Sequence, residues 1–401
     1  MESVVIHIFH RDLRTEDNLG LIEAVKHAHE TKSKLLPLFI LTPEQVGPKN
    51  PYRSDNSIQF MIHSLHDLSS QLDNHLTIIK STQQAALKAL KKHYKIIAIS
   101  ENMDYTPFAK ARTEETNEFC EKNTIKYILT EDVYLTNPGT VLNKSGKPYQ
   151  KFTPFYESAK TQPVPHPKHK PNLKHLLIKS DLDSGLPKKA ENPSIHVKGG
   201  TEEAETLLKH MPKSYDKTRD IPSIETSNLS AHNHFGTVSI RQVYYANTNE
   251  EFRRQLYWRD FFGHICHFFE DLYKVSPYDF QDTPQAGWST DKALFKKWTD
   301  GKTGFDFVDA AMNQLKTTGY IHNRARMTAA TYLTKELKVY WRWGEKWFAQ
   351  HLVDYDFAQN FGNWCSVASV TPFGTPPFRT LNPEIQLKKF DNERKYVDKW
   401  L

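Results

Sequence analysis

Residues 319–369 read GYIHNRARMTAATYLTKELKVYWRWGEKWFAQHLVDYDFAQNFGNWCSVAS. Little of this stretch is ordinary core. It holds an Asn-Arg-Ala-Arg-Met run, two acids one residue apart (Asp354 and Asp356), Asn360 shortly after them, and Trp and Tyr throughout. Asn323, Arg326, Met327 and Ala330 share one helical face, while Ile321, Ala325, Ala329 and Tyr332 share another that is mostly apolar. One face can pack while the other meets a ligand. Arg, Asp, Asn and Trp together describe a polar, aromatic-walled pocket held by helices, sized for a large buried ligand.

The surrounding sequence extends this reading. Residues 305–316 carry a helical apolar stripe (Phe307, Val308, Ala311, Met312, Leu315), with Gly319 as its stop. In the helix predicted over 252–262, Phe252, Gln255, Arg259 and Phe262 share a face. TSNLS at 226–230 alone reads as a helix cap. Arg326 with Asp354 or Asp356 alone reads equally as a buried ion pair or a ligand contact.

Taken jointly, several blocks resemble the flavin-binding domain of the DNA photolyase/cryptochrome family. They are YDKTRD at 215–220, TSNLS at 226–230, FGTVS at 235–239, QLYWRDFF at 255–262, GKTG at 301–304, DAAM at 309–312, the opening stretch, and NP with KKFD at 382–391. The resemblance is greatest to class I cyclobutane pyrimidine dimer photolyases. It implies FAD held by Tyr215, Thr226, Ser227, Asn228, Leu229, Ser230, Phe252, Gln255, Arg259, Asn323, Arg326, Asp354, Asp356 and Asn360. The 226–230 run becomes a phosphate loop leading into a helix, Arg259 a second phosphate candidate, and Asn360 the residue facing flavin N5. Trp364, Trp341 and Trp288 match the inner, middle and outer members of the family's electron-transfer chain. Trp298, Trp343, Trp347 and Trp400 are left as packing or surface residues.

The same resemblance implies damaged DNA as partner and light-driven electron transfer from reduced FAD to a flipped-out pyrimidine dimer. Flipping costs a few kcal/mol, less at damaged sites. Gln255, Trp258, Asn323 and Met327 are the lesion candidates. Arg324, Arg379, Lys388 and Lys389 are candidates for phosphate contacts, which position a strand without reading it. Two residues depart from the cyclobutane-dimer pattern: Gln255 replaces a Glu and Ser366 a second pocket Trp. Gln255 is common in (6-4) photolyases and animal cryptochromes. Those (6-4) enzymes carry paired His where this chain has His322 and Asn323. A cyclobutane-dimer lyase is therefore the primary expectation, with a blue-light photoreceptor and a (6-4) photolyase as alternatives.

The N-terminal part is of another kind. Short apolar runs at 4–9, 35–41, 76–79, 96–100 and 127–129 alternate with helical patterns at 19–28, 57–72, 83–93 and 106–123. That alternation predicts a parallel, Rossmann-like α/β sheet with helices on both faces. No Gly-x-Gly-x-x-Gly follows the first strand, so a dinucleotide fingerprint is absent. HRDLRTEDN at 10–18 stands there instead. It resembles the photolyase opening and reads as a salt-bridged loop capping a helix. The family's domain can hold a second, antenna chromophore, but nothing in 43–56 or 101–112 names one, and binding none is equally open. KFTPF at 151–155 also matches a family motif.

Three units follow: an α/β unit over 1–130, a Pro-, Lys- and His-rich linker over 131–205, and an all-helical unit over 206–401. The chain stops earlier than typical family members, from which either a more open side of the helical unit or a further helix left unneeded is expected. The net charge of +6 suits an acidic partner. Three scattered Cys exclude a disulfide framework and suit a reducing compartment, cytoplasmic or nuclear. No long apolar run predicts a membrane span, no His cluster has metal-ligand spacing, and a monomer is expected.

Overall fold

The computed structural model describes residues 1–188, 192–270, 287–370 and 380–401. Five strands form one parallel sheet in the order β3-β2-β1-β4-β5: β1 Ser3–Phe9, β2 Lys34–Leu41, β3 Thr77–Lys80, β4 Lys95–Asn102 and β5 Lys126–Thr130. The strands read as continuous Val, Ile and Leu because both faces are covered. Alternation sorts them. Val5, Phe9, Leu35 and Phe39 pack under α1 (Leu19–Glu30) and α3 (Asp55–Gln71). Ile6, Ile8, Leu36 and Leu38 pack under α4 (Gln83–His93) and α5 (Pro107–Asn123). A four-residue α2 (Pro43–Val46) precedes α3. The sheet reverses its winding between β1 and β4, so the loop after β1 opens at the switch point, where α/β sheets place their ligands.

The rest is helical. It comprises α6 Phe152–Ala159, α7 Thr201–Lys209, α8 Tyr215–Thr218, α9 Ser230–Phe235, α10 Ile240–Ala246, α11 Glu250–Phe268, α12 Lys292–Asp300, α13 Asp306–Thr318 and α14 Asn323–Thr331. A π-helical turn, Tyr332–Glu336, leads on to α15 Trp341–His351, α16 Phe357–Ala368, α17 Pro383–Phe390 and α18 Lys395–Trp400. One apolar core unites them, with Trp298, Phe307, Trp341 and Phe348 almost wholly buried. Each such side chain removed from water contributes about 1.5–3 kcal/mol.

The segment between sheet and helices is a linker only in part. Residues 161–175 run irregular and largely exposed, as their Pro, Lys and His content predicts. Residues 152–159 instead form α6, whose Phe152, Phe155, Tyr156 and Ala159 join the helical core against α11. Pro154 falls in the first turn, where its missing N–H costs nothing.

The loop after β1 is the seam of the molecule. Asn18 caps α1 by accepting from Leu21 N at 3.0 Å, the cap expected from sequence. The loop also reaches α9: Leu13 N donates to Phe235 O at 3.0 Å and Arg11 Nε to His234 O at 3.1 Å. Gly236 allows this approach. Its φ is +64°, and a Cβ there would meet Arg11 O at 2.0 Å. Behind it, Arg241 of α10 donates to Asp17 (2.8 Å) and Asp132 (2.6 Å), and Arg14 donates to Asp132 (2.6 Å).

Candidate cofactor and lesion site

Three helices converge on the residues singled out by sequence. α14 starts at Asn323, capped by His322, whose Nδ1 accepts from Arg324 N at 3.1 Å. Its buried face is Ala325, Thr328, Ala329 and Ala330. Asn323 is exposed, and its Nδ2 lies 3.7 Å from Met327 Sδ, so these two present one surface together. Arg326 Nη2 donates to Asp354 Oδ2 at 3.1 Å, which is the ion pair anticipated. Its Nε is buried without a partner among the described residues, a polar atom that a ligand can satisfy.

Asp356 is both a cap and a junction. Its carboxylate accepts from Gln359 N at 3.0 Å, starting α16, and from Arg11 across the seam, with His234 Nδ1 at 3.3 Å. Burial opposes its ionisation, yet Arg11 and then His234 outweigh burial and hold it far below the usual carboxylate range. The Arg of the loop after β1 thus reaches a residue expected at the flavin, 345 positions away.

Asn360 lies one turn further along α16, buried, with Nδ2 on Glu345 of α15. On α11, Phe252 is buried and packs edge-on against Tyr215, centroids 5.3 Å apart. Gln255 Nε2 donates to Glu251 O at 3.2 Å, along its own helix. Arg259 donates to Val133 O (2.6 Å) and Asn233 O (3.1 Å), with its guanidinium 4.8 Å from the Tyr134 ring centre. In the fold it ties α11 to the sheet side.

The 226–230 run forms no cap. Leu229 precedes α9 and no side chain caps that helix. Thr226, Ser227 and Asn228 are half-buried, and Asn228 takes a φ of +53°. Its amide is held between His196 Nε2 (3.0 Å) and Glu225 (2.8 Å), and His196 stacks on Tyr320 at 4.0 Å. The structure therefore removes the capping explanation, with Thr226 and Ser227 half-buried and Ser230 exposed.

The tryptophans form two sets. Trp288 lies 6.4 Å from Tyr340, Tyr340 6.4 Å from Trp341, and Trp341 5.4 Å from Phe361 of α16. Trp364 packs on Phe348 at 5.1 Å. Trp298, left as packing, is fully buried, donates to Ala329 O and lies edge-on to Trp364 at 6.3 Å. Trp258 is half-buried, and Phe152 covers one indole face at 3.6 Å with planes 8° apart.

Arg324 pairs with Asp220 at 2.7 Å and lies 4.2 Å over Phe390, beside the exposed Lys388 and Lys389. Arg379 lies outside the described residues. No His/Cys/Asp/Glu cluster among the described residues could hold a metal ion. No helix of the described residues is long and apolar enough to cross a membrane.

Sequence reasoning quoted Arg11 and Phe152 inside motifs but gave neither a role. It passed over Glu345, which lies in an aromatic run that offers no local signal.

A parallel sheet is thus joined through an ionic seam to a helical layer that carries Asn, Arg, Asp and Trp. Residues 5–172 match the family described as DNA photolyase, and residues 252–401 match the FAD binding domain of DNA photolyase. The chain belongs to the DNA photolyase family, and FAD is the cofactor of its helical layer. It is similar to the deoxyribodipyrimidine photo-lyase of Alkalihalophilus pseudofirmus, 33% identical over 97% of this chain and 85% of the relative. Among solved structures it resembles the archaeal photolyase of Sulfolobus tokodaii, described with two FAD molecules (34% identity, TM-score 0.87, 99% and 90% of the two chains). A bacterial class III photolyase of Agrobacterium tumefaciens is similar at 29% identity and TM-score 0.88, over 100% and 86%.

Proposed function

We propose that this chain is a deoxyribodipyrimidine photo-lyase that splits cyclobutane pyrimidine dimers in DNA. The observation that carries the choice of lesion is His322. Its Nδ1 is committed as the cap of α14, and burial pushes its pKa down to about 4, so it is neutral and held in place. Asn323 stands where a second His would be. A proton-donating His pair is missing, which disfavours (6-4) chemistry and leaves electron transfer to a cyclobutane dimer.

Bound in its reduced form, FAD supplies the photoexcited electron that opens the cyclobutane ring. The chain binds, orients and excludes water. Thr226, Ser227 and Ser230 offer hydroxyls for the diphosphate. Arg326, Asp354, Asp356 and Asn360 surround the ring system, with Tyr215, Leu229 and Phe252 as apolar walls. Trp258, held by Phe152, is the aromatic wall of the lesion pocket, with Gln255, Asn323 and Met327 on the base edges. Arg324, Lys388 and Lys389 lie along the strand. Trp288, Trp341 and Trp364 carry electrons inward to reset the cofactor. In this division 1–130 is the sheet unit, 206–401 the catalytic unit and 131–205 the connection.

The test is blue-light repair of two oligonucleotides, one with a cyclobutane thymine dimer and one with a (6-4) product. Repair of the first alone is expected. Repair of the second alone overturns the lesion assignment, and repair of neither by flavin-loaded protein favours a photoreceptor. Trp364→Phe is expected to slow photoreduction of bound FAD at least tenfold and to spare repair by chemically pre-reduced protein. Undiminished photoreduction would place the electron path elsewhere.

A further inference from the structure

The side of Asn360 that meets the cofactor is decided by Glu345. Trp341, Glu345 and Phe348 lie on one face of α15, turned towards α16, which carries Asn360, Phe361 and Trp364. The helices approach closely because residue 344 is Gly: a Cβ there would meet the Trp364 ring at 2.3 Å. Glu345 is fully buried in this contact.

Asn360 Nδ2 donates to Glu345 Oε1 at 3.0 Å and to Glu345 O at 3.1 Å. A main-chain carbonyl only accepts, so the nitrogen of the amide is the atom turned to α15. The oxygen, Oδ1, is left for the other side. Glu345 is held in turn. The Arg342 guanidinium attracts its carboxyl, and the Tyr52 hydroxyl, from the sheet unit ahead of α3, faces it. Tyr52 stacks on Tyr355 at 6.3 Å, linking the sheet unit to the residue before Asp356, the cap of α16.

We propose that Glu345 is a positioning residue for the flavin. By occupying the donors of the Asn360 amide it presents Oδ1, an acceptor, to the cofactor edge, so that flavin with a proton on N5 gains a hydrogen bond that oxidised flavin does not. This rests on the reading that Asn360 faces N5. Tyr52 makes the arrangement a property of both units of the fold.

The experiment is an anaerobic redox titration in the dark, followed by flavin absorbance, on FAD-loaded protein carrying Glu345→Leu, Glu345→Gln, Tyr52→Phe or Asn360→Asp. Leu keeps the bulk and removes the acceptor. The equilibrium between oxidised and N5-protonated flavin is expected to fall about tenfold, the loss of one hydrogen bond. Gln retains a side-chain acceptor and is expected to restore most of it. Tyr52→Phe is expected to shift it about threefold in the same direction, and it decides the matter if the Leu variant does not retain FAD. A shift with Asn360→Asp but none with Glu345→Leu or Tyr52→Phe overturns the positioning role. No shift with any of the four overturns the placement of Asn360 itself.

Discussion

The seam between sheet and helices buries carboxylates, and so does the interior of the helical layer, but the two regions treat them in opposite ways. At the seam Asp17 and Asp132 meet Arg241 and Arg14, and Asp356 meets Arg11. Inside the helical layer Asp260 is met by Thr136 and the Leu135 N–H, and Glu345 by the Asn360 amide, with the Arg342 charge outweighed by burial. Burial prevails there: both carboxyls are pushed up to about 7. A matched charge in a low-dielectric place is scaffold. A buried acid with mainly neutral partners keeps its proton close to neutral pH and can respond to its surroundings, which is where functional groups concentrate.

Breaking the seam should have the largest effect. Arg241→Ala leaves Asp17 without its cation and Asp132 with one of two, at a cost of about 3–5 kcal/mol. Urea denaturation at neutral pH measures it, and a cost below about 1 kcal/mol would mean that Arg14 suffices and the seam is no scaffold. The interior should give a smaller effect of opposite sign. Glu345 binds its proton more tightly in the native state than at its ordinary value of 4.5. Its contribution is complete below about pH 4.5 and is lost as the pH rises through 7. Glu345→Gln removes that loss, so near pH 8 the variant should exceed the parent by up to about 3 kcal/mol, and the gap should close at acid pH. A pH-independent gap would place Glu345 with the matched acids.

Asp356→Asn should have the smallest effect, about 2 kcal/mol at pH 7, because Arg11 keeps Asp104 at 3.5 Å. The sign follows from its depressed pKa. Asp356 stabilises the fold above the ordinary aspartate value and loses that contribution as the pH falls through its own. Parent and variant should therefore converge in acid, as followed by thermal unfolding across pH. Divergence in acid would show that Arg11 does not set this carboxyl.

These energetic differences were only partly legible in the chain. All five strands and the four long helices of the sheet unit fall where the apolar runs and helical patterns put them, because both faces of that sheet are covered and local pattern equals burial; the four-residue α2 was not foreseen. Helical spacing grouped Asn323, Arg326 and Met327 on α14, whereas Asn360 and Trp364 on α16 were singled out by the family resemblance alone. Two classes of fact were not. The pairing of Arg11 with Asp356 joins distant positions, and spacing says nothing of such pairs. α6 was hidden because its apolar residues follow a Gly- and Pro-containing loop and lead into Pro-rich sequence, so composition outweighed periodicity.

The seam also gives the chain a temporal order. Asp132 and Arg241 are 109 residues apart, and Asp17 and Arg241 are 224 apart. Synthesis at about 5–20 residues per second leaves the completed sheet waiting about 5–20 s for its cation. Through that interval the crest of the nascent sheet is an anionic edge, with Arg14 alone beside Asp132. The arrival of α10 closes it. A ribosome-bound chain ending before residue 241 should therefore hold a protease-sensitive sheet, and one ending well after it a protected sheet.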